Sequence, residues 1–181
     1  MNWRKVPFHG QDGTVAEVSI NANKTLIKKR YSVDGLTVSG KKSKHTPSEI
    51  NDCFKREIYW TEHLQGKWVP SIVDIDETNQ IIIQDYYGPD LLTNYQAGTL
   101  LKDVPDIVDQ VIEMFKFFKQ HNVYKLNNAL SNMTVNGKQL VAFDFKWARK
   151  RPEGRKEELF SYSEWMSKID RKLPAILEKL A

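Results

Sequence analysis

The first half of the chain reads as strands around one helix, and the second half as helices around one small hairpin. Val and Ile among small residues make a strand of Thr14–Ile20. Asn21, Ala22, Asn23 and Lys24 make a turn, and Thr25–Tyr31 returns as the second arm of a hairpin. Ser32–Pro47, rich in Gly, Ser and Lys, is expected to be a mobile loop. From Ser48 to Leu64 the period lengthens: Ile50, Cys53, Phe54, Trp60, Thr61 and Leu64 recur at helical spacing and mark a buried stripe. Glu57 lies in the middle of that stripe. A carboxylate on a core face is costly without a partner, so the pattern asks for a cation opposite it.

Two further strands follow, Val69–Ile75 and Gln80–Tyr86. The run Ile81-Ile82-Ile83 suits a central strand covered on both faces. Tyr87-Gly88-Pro89 breaks the pattern as a linker. Asp106–Gln120 is a strong helix with Val108, Val111, Ile112, Phe115 and either Phe117 or Phe118 inward, and it ends at His121-Asn122. A polar loop spans Asn127–Asn132. Met133–Val135 and Leu140–Phe143 are short strands around Asn136-Gly137, a type I′ hairpin signal. Ser161–Leu180 is an amphipathic helix, expected to be disturbed near Pro174. The fold class this implies is α+β, with two lobes: 1–87, an antiparallel sheet plus one helix, and 88–181, reduced and mostly helical.

Composition narrows the function classes. The chain has 181 residues, 40 % hydrophobic and 28 % charged, which suits one domain or two small lobes sharing a cleft. No apolar run reaches the roughly 20 residues of a membrane-spanning helix, and Met1–Pro7 carries no signal-peptide core. One cysteine, Cys53, permits no internal disulfide and points to a reducing, cytoplasmic setting. The four histidines (His9, His45, His63, His121) are scattered and form no metal-ligand spacing. The net charge of +4 is unevenly placed. Lys41, Lys42 and Lys44 read as a solvated loop, while Arg149–Lys156 holds a denser run suited to an acidic protein or RNA partner.

Several short segments, taken in order from Gly10 to Trp147, resemble the protein-kinase-like superfamily. The likeness is greatest to its small atypical members: RIO-type kinases, lipopolysaccharide kinases and the small kinase of the KEOPS complex. Gly10-Gln11-Asp12-Gly13 stands where those proteins cover a nucleotide's phosphates with a glycine-bearing loop. Thr25-Leu26-Ile27-Lys28 looks like the strand whose lysine contacts the α and β phosphates. The resemblance gives that role to Lys28, with Lys29 as its rival, and has Leu26 cover the base. Glu57 becomes the helix glutamate that holds the lysine. Gln84-Asp85-Tyr86-Tyr87-Gly88 resembles the interlobe hinge, where backbone groups at Asp85 and Tyr86 read an adenine edge.

Val123–Met133 is similar to the catalytic loop, with Asn132 at its metal-binding asparagine. Phe143-Asp144-Phe145 follows a hairpin as the D-F-G motif does, which makes Asp144 the main Mg²⁺ ligand. The cofactors so implied are ATP and Mg²⁺. The sequence departs from the family at three places. Asn127 holds the position of the catalytic aspartate, Lys125 that of the usual histidine, and Lys146 that of the motif's glycine. An amide can orient a hydroxyl but cannot accept its proton, a loss worth about 10²–10⁴ in rate. The expectation is a nucleotide-binding pseudokinase or a slow atypical phosphotransferase. The alternative is a non-catalytic module of the same fold that binds a protein or RNA.

Overall fold

The computed structural model describes residues 2–6, 15–125, 129–151 and 170–180. The fold is mixed α+β. Its main sheet is antiparallel and five-stranded, in the order β1-β2-β3-β5-β4. The strands are β1 (Trp3–Lys5), β2 (Ala16–Asn21), β3 (Leu26–Tyr31), β4 (Ile72–Asp76) and β5 (Ile81–Asp85). The β2–β3 turn falls where the sequence places it. The Asn21 side chain closes it, Oδ1 accepting from the Thr25 and Leu26 amides at 2.9 and 3.0 Å. β5 is an interior strand between β3 and β4, with Ile82 fully buried and Ile81 and Ile83 on its other face partly so. The edge strand β1 falls in a polar stretch that carries no strand pattern; only its pairing with β2 makes it one.

Helix α1 (Pro47–His63) covers one face of this sheet. Thr46 is its N-cap, in a capping box with Glu49, and Pro47 occupies the first turn, where a missing amide costs nothing. The segment before it, read as a mobile loop, is ordered by its own backbone. The Thr37 amide donates to Lys41 O at 2.7 Å and the Ser43 amide to Gly35 O at 2.9 Å. Gly35 sits at φ +74°, and a Cβ there would meet the Pro47 ring at 3.3 Å, so the turn needs glycine.

Beyond β5 come two short helices that the hydrophobic pattern does not reveal, α2 (Leu91–Gln96) and α3 (Leu100–Asp103). Asp90 caps the first, accepting from the Thr93 amide at 3.1 Å. Helix α4 (Ile107–Gln120) buries Ile107, Gln110, Val111, Met114, Phe115 and Phe118. Val108, Ile112 and Phe117 pack only partly, so the inward stripe is rotated slightly from the expected one. Gln110 is the polar member of this face, and its amide is fully engaged. Nε2 donates to Asp106 Oδ1 (2.9 Å) and Lys138 O (2.8 Å), while Oε1 accepts from the Leu140 amide (2.7 Å) and Gln139 Nε2 (3.1 Å).

Those bonds clamp a hairpin of β7 (Met133–Asn136) and β8 (Gln139–Ala142) onto α4. Asn136 pairs with Gln139, so the turn residues are Gly137 and Lys138, and only Gly137 has positive φ (+65°). This is the type II′ pattern, Gly first, rather than the expected type I′ turn on Asn136-Gly137. β6 (Val123–Tyr124) pairs antiparallel with β9 (Arg149–Lys150). Helix α5 (Leu173–Leu180) begins at Leu173, which puts Pro174 in the first turn, where it fits, rather than at a break inside a longer helix. The stretch 161–169, expected to begin that helix, lies outside the described residues.

Among the described residues the apolar core falls into two clusters. A large one runs from Trp60 and Leu64 through α4 to the β7–β8 hairpin and Leu173. A small one joins Val15, Ala16, Tyr31 and Ile82 to Ile50, Cys53 and Phe54 of α1.

Candidate functional site

Glu57 is wholly buried, as the helical stripe requires, and its cation is present. Lys29 Nζ donates to Glu57 Oε1 at 2.5 Å. The partner is Lys29, not Lys28. Lys29 lies opposite Ile82 in the β3–β5 register and so shares the face that α1 covers. Lys28 lies opposite Ile83 on the other face, with its Nζ 4.8 Å from the centroid of the Trp3 ring. Side chains alternate along a strand, so one residue of register decides which lysine goes inside. Leu26 shares the Lys28 face and is half-buried. Gln84 lies opposite Ile27 on the inner face. It is almost wholly buried, and its Oε1 has no hydrogen-bond partner; nor has Glu57 Oε2.

Asp144 is brought to this pair by the hairpin and by α1. The Phe143 amide donates to Asn132 O at 3.0 Å. This ties the residue before Asp144 to Asn132, which is buried at the end of a 3₁₀ turn, Leu130–Asn132. Asp144 itself sits at φ +67°, left-handed backbone that aspartate tolerates better than most residues. The turn after it closes with the Ala148 amide on Phe145 O at 2.8 Å. Helix α1 holds that turn from its far side. Arg56 donates to Lys146 O at 2.8 Å, and Trp60 Nε1 to Ala148 O at 2.9 Å. The helix that carries Glu57 therefore also fixes the backbone that carries Asp144.

The result is one charged cluster of Lys29, Lys125 and Lys146 against Glu57 and Asp144. Burial alone would raise the Asp144 carboxyl, but the ammonium groups of Lys146, Lys29 and Lys125 outweigh it and hold the pKa at about 2. Lys146 responds in the opposite sense: burial would lower it, but the Asp144 carboxylate raises it above the ordinary lysine value. Lys125 is the group that burial wins. Despite Asp144 and Glu57, desolvation brings it down to about 8, and its Nζ lies 5.2 Å from the Phe145 ring centroid. The Phe143 ring centroid lies 5.8 Å from Lys29 Nζ.

Asn132 and Asp144, the expected Mg²⁺ ligands, are thus neighbours through the Asn132–Phe143 bond. The carboxylate is already engaged, however. Lys146 Nζ donates to both of its oxygens, at 2.8 and 2.7 Å. A divalent ion at Asp144 would have to share the carboxylate with that ammonium or displace it. Among the described residues no group of three His, Cys, Asp or Glu side chains is placed to hold a metal. Phosphate oxygens do fit the donor set, since three ammonium groups stand against two carboxylates.

At the expected hinge, the amides of Asp85 and Tyr86 are committed to Ser71 O (3.1 Å) and Thr25 O (2.8 Å). An adenine edge read there must use other backbone groups. Gly10, Gly13 and Asn127 lie outside the described residues, as does 152–156 of the basic run. The start of that run is described. Arg149 and Lys150 are exposed on β9, and the Arg149 guanidinium stacks 5.1 Å from the Tyr124 ring centroid. A groove of about 360 Å³ beside β4, lined by Thr61, Glu62, Gln65 and Ile72–Ile75, contains none of these residues.

Lys29, Lys125, Lys146 and Gln84 are the residues that sequence reasoning left without their roles. Only Lys29 carried a usable signal, as one of two adjacent lysines on a strand facing a helix with a buried glutamate. No family model matches the chain, and no curated protein matches it in sequence. No helix among the described residues is long and apolar enough to cross a membrane.

Proposed function

We propose that the chain is a two-lobed, kinase-like nucleotide-binding protein, a pseudokinase or slow atypical phosphotransferase with ATP in the cleft. The observation that carries this reading is the buried Lys29–Glu57 pair set against Asp144 by the same helix. A lysine fixed by a glutamate on a helix, facing a carboxylate after a hairpin, is the arrangement that phosphoryl-transfer enzymes of this kind use to hold phosphates. The five-stranded sheet and α1 form the lobe that covers the nucleotide; α4 and the β7–β8 hairpin form the other. Lys29 takes the role that the sequence resemblance gave to Lys28. The orphaned Gln84 Oε1 on the same inner face is an acceptor suited to an amino group of the base. Asn127 stands where a proton-accepting aspartate is needed, so any transfer relies on positioning and charge. A cytoplasmic setting suits both the nucleotide and the single cysteine.

The test is the stability of the folded protein with and without ATP. At about 100 times the dissociation constant, ATP should stabilise the wild type by about 2.7 kcal/mol. Lys28→Ala should respond equally. The paired variant Lys29→Met/Glu57→Leu, which keeps the volume but removes both charges, should not respond. A wild type unmoved by millimolar ATP, or a paired variant that responds as fully, would sink the reading. A second reading, a kinase-fold module that docks an acidic protein or RNA, is favoured by the exposed Arg149 and Lys150 on β9. Salt-sensitive RNA binding in a protein that ignores ATP would select it.

A further inference from the structure

We propose that this site holds the phosphates of a nucleotide without a divalent cation, with the Lys146 ammonium standing in the metal's place at Asp144. The proposal rests on the nucleotide reading above and narrows it.

Three observations support it. The first is occupancy: one Nζ bridges both carboxylate oxygens at 2.8 and 2.7 Å, leaving neither oxygen free of a cation. The second is that the bridge is built into the backbone. Lys146 is two residues beyond Asp144. The positive φ of Asp144, the Phe145–Ala148 turn and the Arg56 bond to Lys146 O fix the chain between the two charges. Residues in sparsely populated backbone conformations persist where their surroundings over-determine them, and Arg56 and Trp60 of α1 supply that determination here.

The third observation is charge balance. Lys29, Lys125 and Lys146 against Glu57 and Asp144 leave one positive charge when all are ionised. Phosphate oxygens offset that excess, and Lys146 already brings to Asp144 the positive charge that a metal would supply. The Lys146 side chain is 25 % exposed and that of Asp144 15 %, so the ammonium's third N–H is left for a ligand approaching from solvent. Lysine is a recognised phosphate binder as a point charge, and here it is already desolvated and oriented.

The experiment is calorimetric titration of ATP into the full chain in EDTA and, separately, in millimolar MgCl₂, for the wild type and for Lys146→Ala. The wild type should bind ATP at least as tightly in EDTA as in Mg²⁺. Lys146→Ala frees Asp144, so it should lose tenfold or more in EDTA and recover most of that with Mg²⁺ or Mn²⁺. Wild-type binding that requires Mg²⁺ overturns the proposal while leaving the nucleotide reading intact. No ATP binding in either condition overturns both. If Lys146→Ala does not fold, the wild-type comparison decides, and Lys146→Arg, which keeps a cation at Asp144, should still bind in EDTA.

Discussion

The two apolar clusters differ in what they bury. Around α4, twenty hydrophobic residues pack together among the described residues, and the buried polar Gln110 on α4 has its amide fully hydrogen-bonded. Between the sheet and α1 only seven do so. They share their space with Lys29, Glu57 and Gln84, and three buried oxygens between sheet and helix, Glu57 Oε2, Gln80 Oε1 and Gln84 Oε1, have no hydrogen-bond partner. One region is organised by packing, and the other has given up packing to place charge. Burying an ion pair adds little net stability, so the sheet–α1 region keeps its charges at the expense of a better core. Such local conflict is expected where function, rather than folding, sets the residue.

The contrast is sharpest at Glu57. Glu57→Ala leaves Lys29 buried and unpaired and should cost about 3–5 kcal/mol. That matches the roughly 2–5 kcal/mol expected for Met114→Ala in the large cluster. The two sites then part. Lys29→Met/Glu57→Leu should return the urea midpoint to the wild-type value or above it, because an apolar pair replaces a desolvated ionic one. A paired variant as unstable as Glu57→Ala would show that the pair holds the fold together and is not there chiefly for a ligand.

Next in size is Lys125. Its folded-state pKa of about 8 lies below the ordinary lysine value, so the folded protein releases this proton before the unfolded chain does. The burial penalty is therefore full below pH 8 and is relieved as pH rises toward 10. The gain over that window is about 2–3 kcal/mol. The groups that face this ammonium are Asp144, Glu57, Lys29 and Lys146. Urea midpoints at pH 7.5, 8.5 and 9.5 should rise in the wild type relative to Lys125→Met. Parallel curves for the two proteins would remove Lys125 from the buried cluster.

The smallest effect is at the exposed start of α1. Thr46→Ala removes the capping box with Glu49 and should cost about 1 kcal/mol. If the proposed nucleotide site holds, it should also weaken ATP binding slightly, since α1 positions both Glu57 and the Asp144 turn. A loss of stability with ATP affinity unchanged would mean that the helix end frays without moving the site.

Much of the fold was legible in the sequence because it is written in local periods. The helical stripe from Ile50 to Leu64 located α1 to within a residue at each end and singled out Glu57 as a charge in need of a partner. The Asn21 turn and the Ile81–Ile83 strand were equally plain, although that strand lies beside the edge strand β4 rather than at the centre of the sheet. What was missed lacked such a period. β1 is three residues, two of them exposed, and pairing alone makes it a strand. α2 and α3 are too short to show a stripe, although Asp90 with Thr93 three residues on was a readable cap. At the β7–β8 turn the Asn-Gly signal placed the hairpin but not its register, which Gln110 sets from across the core.

The candidate site divides in the same way. The helical stripe determined that Glu57 would be buried and need a cation, and the hairpin signal put Asn132 and Asp144 on either side of one hairpin; that a lysine of β3 would answer Glu57 came from the family resemblance. The sequence left open which lysine. Lys28 and Lys29 are adjacent on a strand whose faces alternate, so either register puts a lysine inside. The pairing of Lys29 with Ile82 beneath α1 decided between them. Nor did it show that Lys146 closes on Asp144, or that Lys125 joins the cluster. Those contacts depend on a left-handed residue, a turn held by Arg56 and Trp60, and the desolvation that only the assembled core supplies.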